Sequence, residues 1–330
     1  MSAKHANISI FVPHLGCPQM CSFCNQRYIS RTSETPDENT VRQAVETAIN
    51  SKNYSAESTE IAFFGGSFTA IDTGYMISLL GTAYEFVREK KVSGIRISTR
   101  PDAINEAILT TLKKYGVTAI ELGAQSMCEE VLTKNNRGHT VDDVINASLL
   151  IKEYGFSLGL QMMTGLYGSD AEKDIYTAKR IIELKPDTVR IYPTIVLENT
   201  YLAELFKQNV YTPQTLDSAV ELAANLLLLF RKHGIKVIRT GLHTIDTERY
   251  VAGPWHPSFK ELCEAEIFYK KAVSLLKEQG EYIVFVNPLN ISKMTGQKRS
   301  NIEKLKQLGF NCTVKANETL GEYDLKILRM

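Results

Sequence analysis

The sequence has no excess of charge, no long apolar run and few cysteines. Its 330 residues include 38 Lys and Arg against 37 Asp and Glu, a formal net charge of +1. This balance excludes a strongly basic body that coats nucleic acid everywhere, but it allows a local basic patch. No apolar run approaches the ~20 residues of a membrane span, and the start MSAKHANISIFVP has no secretory pattern. We therefore expect a cytoplasmic protein with no membrane partner.

Six cysteines in a chain of this length are too few and too scattered for a secreted disulfide scaffold. Half of them lie in one stretch, GCPQMCSFCNQ, as Cys17, Cys21 and Cys24. The other three are isolated and are expected to be small buried hydrophobic residues: Cys128, Cys263 and Cys312.

Apolar runs of strand length alternate with helical patterns along most of the chain. The predicted strands are 8–12, 59–64, 94–99, 117–123, 156–165, 188–196 and 235–242. Because these runs are nearly continuously apolar, they indicate a parallel sheet buried on both faces. The pattern leaves open a doubly wound sheet or a barrel, complete or partial.

Unusual residues cluster just after the predicted strands, in GGSFT (65–69), TRPD (99–102), GAQS (123–126), NNRGHT (135–140) and TGLYG (164–168). The turns at the other end are plain. In either architecture the carboxyl ends of parallel strands meet, so one large site is expected there. We expect this barrel or sheet to span residues 1–250. A small α/β appendage is expected over 251–330.

The cysteine stretch has the spacing C-x3-C-x2-C. Structural zinc prefers four ligands, usually as two separated pairs, and no second pair follows. A cubane iron–sulfur cluster is held by thiolates. Three of them leave one iron open, as a catalytic metal site requires.

This motif, with Phe23 before the last cysteine, resembles that of the radical S-adenosylmethionine (SAM) enzymes. The resemblance implies a partial (β/α)6 barrel. It also implies a [4Fe-4S] cluster on Cys17, Cys21 and Cys24 whose open iron chelates SAM. Reductive cleavage of SAM then gives a radical that takes hydrogen from a substrate. An electron donor of the flavodoxin or ferredoxin type is the implied partner.

The resemblance also suggests roles for the other loops. Gly65, Gly66 and Ser67 look like the family's glycine motif, whose backbone meets the SAM amino group. Arg100 is a candidate cation for the SAM carboxylate, Arg137 is a second one, and Gln125 could contact the ribose. Met162 and Met163 are weaker candidates to flank adenine.

A narrower resemblance rests on GGSFTAI, STRPD, ELGAQS, NRGHT, QMMTGL and RIYPTIVLENTYLAELFKQNVYTP. In this order they are similar to the radical SAM domain of the Elongator catalytic subunit and its stand-alone bacterial relatives. That similarity implies chemistry on a wobble uridine, and tRNA as a partner. The ~80 residues after the barrel are too few for an acetyltransferase domain of ordinary size, so none is expected.

Two alternatives remain open: a radical SAM oxidoreductase acting on a small molecule or tetrapyrrole, and a non-catalytic iron–sulfur protein that binds RNA or senses redox state. A basic stretch is a candidate contact for RNA phosphates through Lys293, Lys298, Arg299, Lys304 and Lys306. Trp255, expected mainly to pin the appendage, is a further candidate contact, as are Tyr28, Tyr192, His243 and His256.

Overall fold

Seven parallel strands form one curled sheet, as the alternating pattern predicts. The computed structural model describes residues 5–12, 17, 20–24, 35–242, 245 and 247–330. The strands are β1 (Ala6–Val12), β2 (Thr59–Gly65), β3 (Gly94–Thr99), β4 (Val117–Gln125), β5 (Ser157–Thr164), β6 (Thr188–Pro193) and β8 (Lys236–Thr240). They lie side by side in this order. The sheet is a half-barrel of the partial TIM type, which confirms the fold class implied by the sequence resemblance.

Helices alternate with these strands. They are α1 (Glu38–Ile49), α2 (Thr73–Arg88), α3 (Glu106–Lys114), α4 (Glu129–Lys134), α5 (Val141–Glu153), α6 (Ala171–Glu183), α7 (Tyr201–Lys207) and α8 (Leu216–Lys232). Among the described residues, none of the helices combines the length and the apolar character needed to cross a membrane.

The helix ends follow from local chemistry. Asp37 starts α1 with a capping box, because its carboxylate accepts from the Thr40 N–H while the Thr40 hydroxyl accepts from the Asp37 N–H. Gly116 has φ +70° just after α3 and Gly155 has φ +80° just after α5. Glycine adopts this left-handed conformation at low cost, so both helices stop where the sequence predicts.

The sixth strand is shorter than the predicted run 188–196. It ends at Pro193, and a separate strand follows after Thr194 and Ile195, namely β7 (Val196–Leu197), which pairs antiparallel with β9 (Tyr250–Ala252). Pro193 has no N–H to donate to a neighbouring strand, so the ladder cannot continue regularly through it. The chain therefore leaves the sheet here and forms one wall of the opening described below.

The C-terminal region builds a second, smaller sheet with the strand order β11-β10-β12. Its elements are α9 (Phe259–Leu275), β10 (Gly280–Val286), α10 (Ile291–Thr295), α11 (Ser300–Gln307), β11 (Phe310–Ala316) and β12 (Leu325–Arg329). The sequence predicts a small α/β unit in this region, and the three-stranded sheet agrees with it. Helix α9 packs on α8 through one apolar cluster that includes Ala223, Cys263 and Phe268, so this unit is held firmly against the half-barrel.

Candidate functional site

One large cavity opens at the carboxyl ends of the strands, where the sequence predicts the site. Its volume is about 540 Å³. Every strand from β1 to β6 contributes to its lining, and so does the cysteine segment. Representative lining residues, one from each strand, are Phe11, Phe64, Ser98, Glu121, Met163 and Tyr192.

All three cysteines of the motif line this cavity and are half-buried: Cys17, Cys21 and Cys24. Burial, and then the neighbouring Cys21, raise the pKa of the Cys17 thiol, while Arg100 and Arg137 act in the opposite direction. Two thiols and two guanidinium groups are therefore close enough to interact.

The thiols have the donor chemistry of iron–sulfur cluster ligands. Across the part of the chain that the structure describes, no three Cys, His, Asp or Glu side chains gather closely enough to hold a single metal ion. A cubane of four irons is wider than one ion and needs its thiolate ligands further apart. Three thiols around one cavity, with cations beside them, suit such an anionic cluster.

The cysteine segment is anchored by Ser22, a residue that sequence reasoning missed. The Ser22 hydroxyl donates to Asn135 Oδ1 at 2.6 Å, and its N–H donates to the Asn135 carbonyl at 3.0 Å. Its carbonyl accepts from the Leu202 N–H at 2.8 Å. The side chain of Phe23 lines the cavity and packs against the apolar clusters beside α4 and α7. These contacts join the cysteine segment to the half-barrel.

The glycines after β2 allow a close approach between β1 and β2. Gly65 has φ +118°, and a Cβ placed there would lie 2.4 Å from the Val12 carbonyl oxygen. The Gly66 N–H donates to that same carbonyl at 2.9 Å. Both glycines line the cavity. Only glycine fits at position 65 without moving the end of β1.

Ser67 is fully buried and does not line the cavity with these glycines. Its hydroxyl shares a hydrogen bond of 2.8 Å with the Thr99 hydroxyl and accepts from the Arg100 N–H at 3.1 Å. The side chain therefore ties the loop after β2 to the loop after β3. Its backbone N–H bonds to the Cys17 thiol.

The two predicted cations differ in their partners. The Arg100 guanidinium forms a forked ion pair with Asp102, with 2.9 Å between Nε and Oδ1. Arg137 has no carboxylate partner among the described residues. It donates instead to Cys21 Sγ at 3.0 Å and to the Gly123 carbonyl at 2.7 Å, and its buried Nε has no hydrogen-bond partner in the described part of the chain. Arg137 is thus the better placed of the two to receive an anion.

The buried side chain of His139 contacts Arg137. Sequence reasoning did not single out this histidine. It is buried, with Nε2 3.2 Å from the Ala124 carbonyl and Nδ1 3.5 Å from the Arg137 guanidinium. Burial, and then the charge of Arg137, lower the pKa of the imidazole to about 4. The ring is therefore neutral near pH 7, when Nε2–H donates to the carbonyl and Nδ1 faces the cation.

Gln125 is turned towards the cavity by a β-bulge. The pairing of β4 with β5 shifts register between Gly123 and Gln125, and Gln125 takes the left-handed φ of +64°. A glutamine pays a conformational cost in this region, and such strained positions concentrate at functional sites. Its Oε1 accepts from the Gln161 amide at 3.1 Å, so both amides face the same space.

The floor of the cavity carries an ion-pair network that sequence reasoning missed. Both Glu121 oxygens lie 2.7 Å from nitrogens of Arg190, and Arg96 Nη1 donates to Glu121 at 3.2 Å. Arg96 also pairs with Glu60 at 2.8 Å. Burial lowers the pKa of Arg190, but Glu121 and Tyr192 outweigh it and hold the pKa above its usual value. The sequence does contain a sign of this network, because each of these charged residues interrupts an otherwise apolar strand.

The remaining predicted contacts divide into two groups. Tyr192 and Met163 line the cavity, whereas Met162 is a core residue on the other side of the sheet. Trp255 packs beside Tyr250 against the cluster of Ile195, Leu197 and Ile245, in agreement with a structural role. His256 does not line the cavity, and its Nδ1 accepts from the Ser258 N–H. Tyr28 and His243 lie outside the described residues.

The predicted basic stretch is partly neutralised. Lys293 pairs with Glu264 at 3.3 Å, and Lys304 lies 5.2 Å from the centre of the Tyr269 ring. Lys298, Arg299 and Lys306 remain exposed. Of the isolated cysteines, Cys263 is buried, while Cys128 and Cys312 are only half-buried.

Comparisons with known proteins agree with the geometry. Residues 11–181 match the family model described as the radical SAM superfamily, and residues 186–268 match the radical SAM C-terminal domain. A tRNA uridine(34) acetyltransferase of Methanocaldococcus jannaschii is 35% identical over 183 residues, which cover 49% of this chain and 34% of that protein. Human Elongator complex protein 3 is 34% identical over 196 residues, covering 53% and 36%.

These matches span only part of the relatives, and solved structures extend the likeness at the level of the fold. The archaeal Methanocaldococcus infernus Elp3 with an N-terminal deletion gives a TM-score of 0.67 at 22% identity, covering 82% of this chain and 68% of that one. Escherichia coli coproporphyrinogen III oxidase, a radical SAM enzyme, gives 0.50 at 19% identity, covering 70% and 53%.

Proposed function

Since the chain belongs to the radical SAM superfamily, we propose that it uses the radical chemistry of that family to modify a uridine in tRNA. The family implies a [4Fe-4S] cluster and SAM. When bound, these supply one electron and a carbon-centred radical that removes a hydrogen atom from the substrate.

Cys17, Cys21 and Cys24 would hold three irons of the cluster and leave the fourth for SAM. Support for this assignment comes from their common cavity and from the Arg137 contact to Cys21. Arg100 and Arg137 act to lower the pKa of the Cys17 thiol, against the larger effect of burial, and the thiolate is the form that binds metal.

The other lining residues would bind and orient SAM. We assign its carboxylate to Arg137, because this guanidinium has no carboxylate partner in the described residues and Arg100 is engaged by Asp102. The backbone at Gly65 and Gly66 would meet the amino group, and Gln125 the ribose. Phe23 and Met163 would exclude water from the reacting atoms.

The polar floor favours a polar planar substrate over a wholly apolar one. Glu121, Gln161, Arg190 and Tyr192 place hydrogen-bonding groups at the bottom of the cavity. A nucleobase presents donors and acceptors along its edge that such groups can pair with. A cluster that only senses redox state would need neither Arg137 nor the strained Gln125.

The similarity to proteins named tRNA uridine(34) acetyltransferase and Elongator complex protein 3 carries the proposal of tRNA. The matches cover about half of this chain but only about a third of those proteins, so the identity of the uridine and of the group added to it are part of this proposal. The proposed reaction also requires an electron donor, which we propose to be of the flavodoxin or ferredoxin type.

The test compares modified nucleosides by mass spectrometry in tRNA from cells with and without the gene. We expect one uridine-derived nucleoside to disappear on deletion. It should return with the wild-type gene and with Cys312→Ala, but not with Cys21→Ala. Identical nucleoside profiles with and without the gene would refute the proposed substrate.

A further inference from the structure

The small C-terminal sheet has one covered face and one that the described chain leaves open. Along β10, Tyr282, Val284 and Val286 are buried in the cluster formed with α8 and α9. Ile283 and Phe285, which alternate with them, point the other way and are only half-buried. Neither belongs to any apolar cluster of the described residues.

Strand register places two lysines beside the phenylalanine on this open face. Phe285 pairs with Lys315 of β11 and with Lys326 of β12. Ile283 pairs with Thr313 on one side and with Leu328 on the other. We call this set the outer sheet face: Ile283, Phe285, Thr313, Lys315, Lys326 and Leu328.

The outer sheet face is accessible. Lys315, Lys326 and Thr313 are exposed, and Leu328 is 52% exposed. Within the described residues, neither lysine has an ion pair or a side-chain hydrogen bond. Lys293 and Lys304, by contrast, are held by Glu264 and Tyr269.

The residue types on the outer sheet face indicate which kind of partner it can bind. An apolar protein surface would have to bury two lysines beside the aromatic ring, which is costly, and protein interfaces are depleted in lysine. A single strand of RNA offers phosphates to the lysines and a base to the ring at the same time. Only one acidic residue, Glu281, is exposed on this side of β10.

We infer that the outer sheet face binds single-stranded RNA, with Phe285 stacking on a base and Lys315 and Lys326 contacting the flanking phosphates. This inference rests on the proposed action on RNA and adds a docking surface to it. None of the six residues lines the cavity, so RNA held here would be bound separately from the nucleotide at the cavity.

The experiment measures fluorescence anisotropy of a labelled 12-nucleotide oligouridylate with the reconstituted full chain. Phe285→Leu keeps an apolar strand residue but removes the aromatic ring, so it should weaken binding about 5-fold or more. Phe285→Trp should bind at least as well as the wild type.

The charge contacts are tested by salt dependence. Lys315→Ala/Lys326→Ala should reduce the slope of log K against log salt by about 1.4, since each phosphate contact on a single strand adds about 0.7. The matched control is Lys232→Ala/Lys236→Ala, which removes two exposed lysines near the amino end of β8. It should change affinity less than 2-fold.

Three results would overturn the inference: unchanged affinity in Phe285→Leu, an equal loss in the control pair, or a wild-type chain that dimerises through this face and binds no oligouridylate. The tRNA nucleoside comparison is independent. If deletion of the gene leaves the tRNA nucleosides unchanged while the sheet variants lose RNA binding, the proposed function is refuted and this inference is supported. If deletion removes a nucleoside while the sheet variants bind RNA normally, only this inference is refuted.

Discussion

At the scale of single residues, the site depends on which charges are already paired. Both Arg100 and Arg137 lie near the thiols, and the sequence offers no way to rank them. The structure separates them, because Asp102 occupies the fork of Arg100, while Arg137 contacts a thiol, a carbonyl and an imidazole but no carboxylate among the described residues. His139, neutral and buried, keeps Arg137 in place without competing for its charge.

Arg137→Lys tests this ranking. Lysine lacks the planar fork, so it cannot keep the Gly123 contact and bind a carboxylate bidentately. We expect the affinity for SAM to fall about 10-fold or more, measured by calorimetry on the reconstituted protein, with the cluster absorbance retained. Arg180→Lys, which changes an arginine paired with Glu183 at the surface, serves as the control. Equal affinity in Arg137→Lys and Arg180→Lys would show that Arg100 or another group holds the carboxylate.

At the scale of secondary-structure elements, the ends of β1 and β2 are held together through glycine. Gly65 combines a left-handed φ with a backbone contact that leaves no space for a Cβ. Gly65 and Gly66 line the same cavity as the three thiols, so this contact shapes the wall beside them.

Gly65→Ala should therefore lower both the free energy of unfolding and the affinity for SAM. We expect a loss of more than about 2 kcal/mol in the free energy of unfolding, from conformational strain plus the displaced Val12 carbonyl. Gly155→Ala is the matched control, because it also has a positive φ but open space around the added Cβ. It should lose about 1 kcal/mol and bind SAM normally. Equal losses of stability and SAM affinity in Gly65→Ala and Gly155→Ala would show that the close approach of Gly65 to Val12 is unimportant.

Helix α6 contains a buried acid whose ionisation opposes folding. Asp174 is 2% exposed and accepts from the Gly165 N–H and the Ser169 hydroxyl. Burial raises its pKa to about 6, and its two hydrogen bonds only partly offset this. Between its unfolded pKa of 3.8 and about 6, the folded chain therefore holds a proton that the unfolded chain has released.

This stabilisation is present at low pH and is lost as the pH rises through 6. Relative to Asp174→Asn, the wild type should lose up to about 3 kcal/mol of unfolding free energy between pH 4 and pH 7. Urea unfolding at several pH values measures the difference. Asp142→Asn, at an exposed position in α5, should follow the wild-type profile. Parallel profiles for Asp174→Asn and wild type would contradict the prediction.

At the scale of the whole molecule, an alternating chain of charges crosses the half-barrel. Glu60 on β2, Arg96 on β3, Glu121 on β4 and Arg190 on β6 each pair with the next. All four side chains are nearly buried, so each charge depends on its neighbours. The network links four strands and fixes Arg190 at the cavity floor.

Removing one charged side chain from this network should leave its neighbours buried without a partner. Glu121→Gln leaves Arg96 and Arg190 without their shared carboxylate, and we expect a loss of about 3–5 kcal/mol. That corresponds to a melting temperature roughly 6–20 °C lower by scanning fluorimetry. Glu183→Gln, which removes a surface partner of Arg180, should cost less than about 1 kcal/mol. A small effect of Glu121→Gln would mean that water or a neighbouring group compensates.

The sequence predicted the strands well because buried parallel strands are continuous apolar runs such as 59–64 and 117–123. It placed the site because residues such as Cys21 and Gln125 follow those strands. The half-barrel came from family resemblance, since periodicity does not encode curvature. Ion pairs such as Glu121 with Arg190 join residues 69 positions apart, and only the folded chain brings them together.

The most direct test of the central claim is the release of 5′-deoxyadenosine from SAM by the anaerobically reconstituted protein with dithionite. We expect release by the wild type and by Cys312→Ala. We expect none by Cys21→Ala, which should also lose the visible absorbance of the cluster. A fully reconstituted wild-type protein that leaves SAM intact, or a Cys21→Ala protein with an unchanged spectrum, would contradict it.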